Sequence, residues 1–434
     1  MSHTPRGPRR AVSTTLVVAM AGAGVLTLAS CGVFGGGDDT KARSIIFING
    51  DGMAAAQREA ARLDQVGLNG ELGMDSLPVS GLQTTDSADP AATITDSAAA
   101  ASAWATGQKT YNGAISVDLA GNPLPVLGAE AKQAGRATGL VTTAQVTDAT
   151  PAAFFSATAN RGNQDDIARQ YLEVTKPDVI LGGGEDWWLP AGSPGAFPDA
   201  PAVDPEEGSR STKGDLVAQA QEAGYQYVTN AGELAAADGD RLLGLFANEE
   251  MFQQRPEGEG DEFDPVVPLA TMTTKALDVL SRDQDGFFLL VEEEAVDEMG
   301  HQNNGARMLE SMRSLEAAVQ VARDYVGEHP DTLLIVTGDH ESGGMTIEDV
   351  GADDESGPGG TLAAGTPGEA DTPSGEDGPF PVAGSDKKFV LDWTTGSHSG
   401  VPTPVTAEGP GSERLSGHYP NTHLHEVVRD IVVG

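Results

Sequence analysis

Residues 95–107 read TDSAAAASAWATG, which sets an aspartate and a serine directly before a run that is mostly alanine. Ala is the strongest helix former, so residues 98–105 should be helical, with Asp96 and Ser97 at the helix mouth. Asp and Ser there can simply cap the free amides of a first turn. A serine in that place can also be a nucleophile, because the amides and dipole of a helix start favour an anion. The local sequence does not choose between cap and nucleophile.

Other residues able to do chemistry follow apolar runs. After SIIFIN come Gly50, Asp51 and Gly52, and after GLVTTAQVT come Asp148, Ala149 and Thr150. After GFFLLV comes Glu292, then Asp297 and His301. TLLIVTG leads into Asp339 and His340, and KFVLDWTTG into His398. A single acid in such a place is ordinarily a turn residue or a cap. Acids or histidines after five such runs point instead to a shared site, since open α/β sheets form their sites beyond the carboxyl ends of strands.

Their types suit divalent ions. Histidine with carboxylate suits zinc, and carboxylates with a threonine hydroxyl suit magnesium. Asp297 and His301 are four residues apart, so one helical face can present both. Two neighbouring metals can hold the attacking and leaving oxygens of a phosphoryl transfer. A serine beside such an ion ionises without a histidine base.

The elements needed to position these residues can be read from the same runs. Residues 44–48, 139–143, 179–181, 286–291 and 332–337 read as strands, and 307–326 as an amphipathic helix. The alternation predicts an α/β fold, a three-layer sandwich in which helices flank a large, mostly parallel central sheet. Residues 348–386 are acidic and rich in Gly and Pro, and they are expected to form an irregular loop insertion. The Asp/Glu cluster at 352–355 lacks a calcium-loop pattern and reads as solvated loop.

At 434 residues the chain can bury a large core, and residues 43–434 are expected to form a single catalytic domain. Charge is the extreme feature, with 26 Lys and Arg against 65 Asp and Glu, or −39. Such a surface repels nucleic acid and anionic lipid, so no nucleic-acid partner is expected. It also repels anionic substrates at long range, so an anion site must carry local positive charge, which bound metal supplies.

Arg6, Arg9 and Arg10 precede an apolar run that ends in Leu28-Ala29-Ser30-Cys31. Residues 1–30 therefore read as a signal peptide with a lipobox-like end, and the run is short and Gly-interrupted for a membrane span. Cys31 is the expected lipidation site, with 31–42 a flexible tether to the fold. This implies an exported protein at the cell surface, touching the membrane only through the anchor. Arg9-Arg10 leaves general secretory and twin-arginine export both open. Cys31 is the single cysteine, so no internal disulfide can form.

Taken together, these stretches resemble the alkaline phosphatase family. The matching segments are IIFINGDGM (45–53), TDSAAAASAWATGQKTYNGAISVD (95–118), VTDATPAAFFSATANR (146–161) and DVILGGG (178–184). MTTKALDVLSRDQDGFFLLVE (272–292), TLLIVTGDHESGGM (332–345) and WTTGSHSG (393–400) follow in family order. The resemblance implies hydrolysis of small-molecule phosphate monoesters through a phosphoserine on Ser97. By the same resemblance, Arg161 grips phosphate and Asp96 helps to place Arg161. It further implies two Zn2+ ions and one Mg2+. Asp297, His301 and His398 would hold the first zinc, and Asp51, Asp339 and His340 the second. Asp51 would bridge to a magnesium held by Asp148, Thr150 and Glu292. Members of the family are commonly homodimers, which leaves a homodimer open here.

Two departures stand out. Glu298 follows Asp297 where relatives often carry Lys, His or Trp. Glu293 and Glu294 stand where small residues are usual. Glu298 implies either faster product release or a different binding of magnesium, and Glu293 and Glu294 either alter metal preference or face solvent. A sulfatase would need a C/S-x-P-x-R setting, which TDSAAAAS lacks. A phosphodiesterase or nucleotide pyrophosphatase of the same superfamily usually uses Thr as nucleophile, though diester hydrolysis can be a side reaction. A non-enzymatic metal- or phosphate-binding lipoprotein would have lost the nucleophile or some ligands, whereas every expected position is filled. His329, His418, His423 and His425 read as structural or exposed.

Overall fold

The computed structural model describes residues 41–197, 208–252, 263, 265–350 and 375–434. The signal peptide, Cys31 and nearly all of the tether lie outside the described residues, as does the acidic cluster at 352–355. Thr40–Gly434 forms one compact unit.

Fifteen strands are present among the described residues. In chain order the first eight are β1 (Ser44–Gly50), β2 (Val79–Thr84), β3 (Ala137–Gln145), β4 (Val179–Gly183), β5 (Gln226–Val228), β6 (Leu242–Leu245), β7 (Phe287–Glu293) and β8 (Thr332–Thr337). They are followed by β9 (Glu341–Ser342), β10 (Thr346–Asp349), β11 (Gly375–Pro381), β12 (Lys388–Trp393), β13 (His398–Ser399), β14 (Thr403–Glu408) and β15 (Gly417–Pro420).

Ten of them form the central sheet in the order β15-β2-β14-β8-β1-β7-β3-β4-β6-β5. Every pairing in it is parallel except those of β14, which runs antiparallel to β2 and β8. The expected mostly parallel sheet is therefore present, and all five strands read from the sequence belong to it. Its middle strands are continuous apolar runs because both faces are covered. On β1, Ile45 and Phe47 face one layer of core with Ala98, Trp104 and Phe154. Ile46 and Ile48 face the other, with Met272, Met312 and Leu315. The Ser97–Thr106 and Ala149–Phe155 helices lie in the first layer, and the Leu269–Leu280 and Gly305–Glu328 helices in the second.

Two expectations need correction. The stretch 348–386 is not irregular throughout, because β11 pairs with β12 in a three-stranded antiparallel sheet ordered β10-β12-β11. Phe380 packs against Phe389 there, and Val382 is buried, so a few apolar residues anchor an otherwise acidic segment. By the same token β12, which precedes His398, is no strand of the central sheet. Only four of the five runs, those of β1, β3, β7 and β8, bring candidate residues to its carboxyl edge.

Candidate functional site

The Ser97–Thr106 helix begins where the sequence places it. Asp96 is its N-cap, accepting a hydrogen bond from Ala99 N at 2.9 Å, and Gly107 ends it in a left-handed conformation. All ten of its residues are buried. Small side chains let it lie close against the neighbouring helices, while Trp104 tilts against Phe47 with ring centroids 5.2 Å apart. Ser97 is thus a cap-proximal residue and a buried hydroxyl facing the sheet edge. Its Oγ lies 3.1 Å from His340 Nε2.

Around that nitrogen the first cluster converges. His340 Nε2 is 3.1 Å from Asp339 Oδ2 and 3.5 Å from Asp51 Oδ1. Ligand atoms of Asp51, Asp339 and His340 all lie within 4.8 Å of one another. The crossing of β1 over this edge depends on Gly52, whose φ is +72° and whose missing side chain would meet Asp297 Cα at 2.6 Å. Gly52 N also donates to Asp339 Oδ1 at 3.1 Å, tying β1 to the end of β8.

A second cluster stands beside the first. His301 Nε2 is 3.1 Å from both Asp297 Oδ2 and His398 Nε2, and His398 Nε2 is 3.4 Å from Asp297 Oδ1. Asp297 and His398 also come within 4.8 Å of His340, whose ring stacks on His398 at 3.6 Å between centroids. His398 arrives through a short antiparallel pairing of β13 with β9, just past His340. Glu341 secures that pairing by accepting from Ser399 Oγ and from Gln57 Nε2. His301 Nδ1 is fixed by Gly396 O at 2.7 Å and His398 Nδ1 by Thr95 O at 2.9 Å. Such bonds orient an imidazole so that its other nitrogen faces the site.

The third group lies on the β7 side. Register aligns Asn49, Glu292 and Thr142 across three strands, and Glu292 accepts from Asn49 Nδ2 at 3.4 Å and Thr142 Oγ1 at 2.7 Å. Asp148 occupies the N-cap position of the Ala149–Phe155 helix without a side-chain cap bond, and Thr150 is buried in the first turn. Arg161 Nη2 donates to both Asp148 oxygens, at 3.0 and 2.9 Å, and Arg161 Nη1 is 3.8 Å from Asp96 Oδ2. Asp96 Oδ2 also accepts from Gly113 N at 2.7 Å, and Gly113 O accepts from Arg161 N at 2.8 Å. Asp96 therefore braces both the serine and the arginine. In this arrangement the guanidinium holds Asp148 rather than standing free.

These residues fit cations. Buried atoms without a hydrogen-bond partner collect at the site: Asp51 Oδ1, Asp297 Oδ1, Asp339 Oδ2, Thr150 Oγ1 and His340 Nδ1. Buried polar atoms are ordinarily paired, and a set of carboxylate, imidazole and hydroxyl groups left this way suits metal ligation. The electrostatics agree. Burial, then the carboxylates of Asp339 and Asp297, push Asp51 well above the usual carboxyl range. Burial raises Glu292 to about 8, and burial with Asp297 raises Asp339 to about 7. Burial also opposes charge on Asp297, yet His301 and His398 hold its carboxyl well below the usual range. The same contact overcomes the burial of His301 and lifts it to about 10. Metal binding would displace such protons.

Glu293 and Glu294 do not face solvent. Glu293 is fully buried and accepts from Thr143 Oγ1 at 2.7 Å, and Glu294 is 5% exposed. Glu298 is half-buried on the next helical turn. His329, His423 and His425 stay outside the site: His329 stacks on Tyr325, His423 bonds Glu426, and His425 bonds Trp104 O. His418 belongs to β15 at the sheet edge. The supporting residues Asn49, Thr142, Gln57 and Glu341 were not singled out from sequence. Register alone brings the first two to Glu292, and no spacing signals it.

The protein-family model described as alkaline phosphatase matches residues 42–363. The chain is 34% identical over 439 residues to the streptomycin-6-phosphate phosphatase of Streptomyces griseus, covering 89% of this chain and 90% of that protein. It is 30% identical to alkaline phosphatase 3 of Bacillus subtilis, covering 89% and 88%. Among solved structures, alkaline phosphatase from the Antarctic bacterium TAB5 superposes with a TM-score of 0.71 at 25% identity, covering 90% of this chain and 98% of that one.

Proposed function

The chain belongs to the alkaline phosphatase family and is a phosphatase, and we propose that Ser97 carries the phosphoryl group between two half-reactions of phosphate monoester hydrolysis. The supporting observation is the placement of Ser97 Oγ, buried at a helix mouth and 3.1 Å from His340 Nε2, where the carboxylate and imidazole clusters meet. In this reading Asp51, Asp339 and His340 hold one Zn2+, and Asp297, His301 and His398 hold another. Asp51, Asp148, Thr150 and Glu292 hold Mg2+. Bound there, the ions supply positive charge that eases ionisation of a serine hydroxyl and offsets the charge of a phosphate dianion.

The chain's own groups do the rest. Ser97 Oγ loses its proton and attacks phosphorus, and the alcohol of the ester departs. The amides of the Ser97–Thr106 helix face the negative charge that develops. Arg161, braced by Asp96, forks two phosphate oxygens in place of Asp148. Water then cleaves the phosphoserine and releases inorganic phosphate. Uncatalysed monoester hydrolysis is among the slowest of reactions, so this concentration of charge has a large barrier to lower.

The acidic surface favours esters that carry cationic groups elsewhere, such as the aminoglycoside phosphate in the name of the Streptomyces griseus relative. Export and anchoring at Cys31 are part of the same reading and rest on the N-terminal sequence alone. The test is turnover of p-nitrophenyl phosphate and of its bis ester at alkaline pH, with zinc and magnesium, after chelation, and for Ser97→Ala. Wild type should prefer the monoester and lose activity on chelation, and Ser97→Ala should lose at least about 1,000-fold in kcat. Preference for the diester would move the protein to the phosphodiesterase reading.

A further inference from the structure

A recess of about 320 Å³, lined by Ala88, Asp89, Pro90, Tyr111 and Leu119, lies against the chain segments that hold Ser97. Asn112 makes the link. Its backbone N donates to Asp89 Oδ2 at 3.0 Å, its Nδ2 donates to Ile94 O at 2.8 Å, and its Oδ1 accepts from Asp96 N at 3.3 Å. One asparagine therefore separates the Asp89 carboxylate from the residue before Ser97. Two hydrogen bonds and the reach of that side chain set the carboxylate no more than about 15 Å from the serine hydroxyl. The aromatic wall is tied to the arginine loop as well. Tyr111 Oη reaches Ala159 O at 3.4 Å, and Gly113 O accepts from Arg161 N at 2.8 Å.

Four of the five lining residues present carbon surface, and Leu119 is 63% exposed. The fifth is a fixed anion. Asp89 Oδ1 accepts from Ala91 N at 2.7 Å and from Ala92 N at 3.1 Å, while Oδ2 takes Asn112 N. These backbone N–H groups of Ala91, Asn112 and Ala92 hold its carboxyl below the usual range. Neutral donors orient the carboxylate without cancelling its charge. Among the described residues no lysine or arginine pairs with it, and Lys109, two residues before Tyr111, is taken by Asp86 at 2.7 Å. An anion fixed beside an aromatic ring and aliphatic side chains is complementary to an amine. The carboxylate supplies the opposite charge, the Tyr111 ring a cation–π face, and Pro90 and Leu119 a cover for the adjoining carbon.

We propose that this recess is the alcohol-side subsite, binding a protonated amine on the part of the ester remote from its phosphate. The inference rests on Ser97 as the point of phosphoryl transfer, and its test keeps the two apart. The full metal-loaded chain is assayed with ω-aminoalkyl phosphates of two to ten carbons, each against the plain alkyl phosphate of equal length. p-Nitrophenyl phosphate is the reference ester. In wild type the amine should raise kcat/KM about tenfold on chains long enough to reach Asp89, and bring no gain on the two-carbon chain. Leu119→Lys sets an ammonium beside Asp89 at an exposed position, and Tyr111→Ala removes the ring. Each should erase most of the gain while p-nitrophenyl phosphate turnover stays within about twofold. Leu119→Lys changes a net charge of −39 by a single unit, so its effect locates the gain in the recess and not in the general acidic surface. Equal kcat/KM for amino and plain esters at every length, faster turnover of the plain long-chain esters, or a gain that survives both substitutions would each overturn the proposal. If wild type turns over none of the esters, p-nitrophenyl phosphate included, the phosphomonoesterase reading fails and takes the subsite with it.

Discussion

Asp96 does three things with two oxygens. One oxygen caps the helix at Ala99 N, and the other accepts from Gly113 N and lies 3.8 Å from Arg161 Nη1. Substitutions can separate these roles. Asp96→Ala should cost about 1 to 2 kcal/mol of stability through the lost cap, measured by urea unfolding, and should also slow turnover. Asp96→Asn keeps the acceptor for the cap but turns an amide nitrogen toward Gly113 N and loses the charge beside Arg161, so stability should fall less than in Asp96→Ala while KM for the monoester rises. At this scale the sequence was informative where residue type and position coincide. Asp51, Asp148, Glu292, Asp339 and His340 all follow apolar runs, and the structure brings them to one edge. Their helpers could not be read. Asn49 and Thr142 matter only through strand register, and Thr95 and Gly396 act through backbone carbonyls, which any residue type provides.

The helix carrying Ser97 is held from behind by the C-terminal Thr422–Val433 helix. His425 Nδ1 lies 3.2 Å from Trp104 O, and the φ of Gly107 is +71°, with room for a side chain closed by His425 Cδ2 at 2.7 Å. Burial lowers the His425 pKa from 6.5, so the unfolded chain takes up more protons than the folded one as pH falls below 6.5. The contribution of neutral His425 is present above that pH and is lost below it. His425→Gln should flatten the loss of melting temperature between pH 6.5 and more acidic conditions, recorded in a thermal melt series. Among elements, strands buried on both faces announced themselves as unbroken apolar runs. Strands toward the β15 end of the sheet, such as β2 and β14, did not, because their alternation is weak and their partners lie far along the chain. His398 was legible as a residue but not in its route: β12 looks like one more sheet strand, and only the β13–β9 pairing reveals how His398 reaches His340.

For the whole molecule, net charge sets the approach of substrate. At −39 the protein repels a phosphate dianion until the local positive charge of the site takes over. Raising ionic strength from about 0.01 to 0.15 M shortens the screening length from about 30 to 8 Å, so KM for p-nitrophenyl phosphate should fall. A rise in KM would mean that the acidic surface does not govern encounter. The scaffold around the site is a ten-stranded sheet with a helical layer on each face, and among the described residues no helix is long and apolar enough to cross a membrane. That scaffold has one chemical purpose in this account, to hold Ser97 where phosphate is transferred to it. Quenching the metal-loaded protein in acid during turnover and sequencing its peptides by mass spectrometry should find phosphate on Ser97, and none in Ser97→Ala. Phosphate on another residue, or full monoester turnover by Ser97→Ala, would contradict the account.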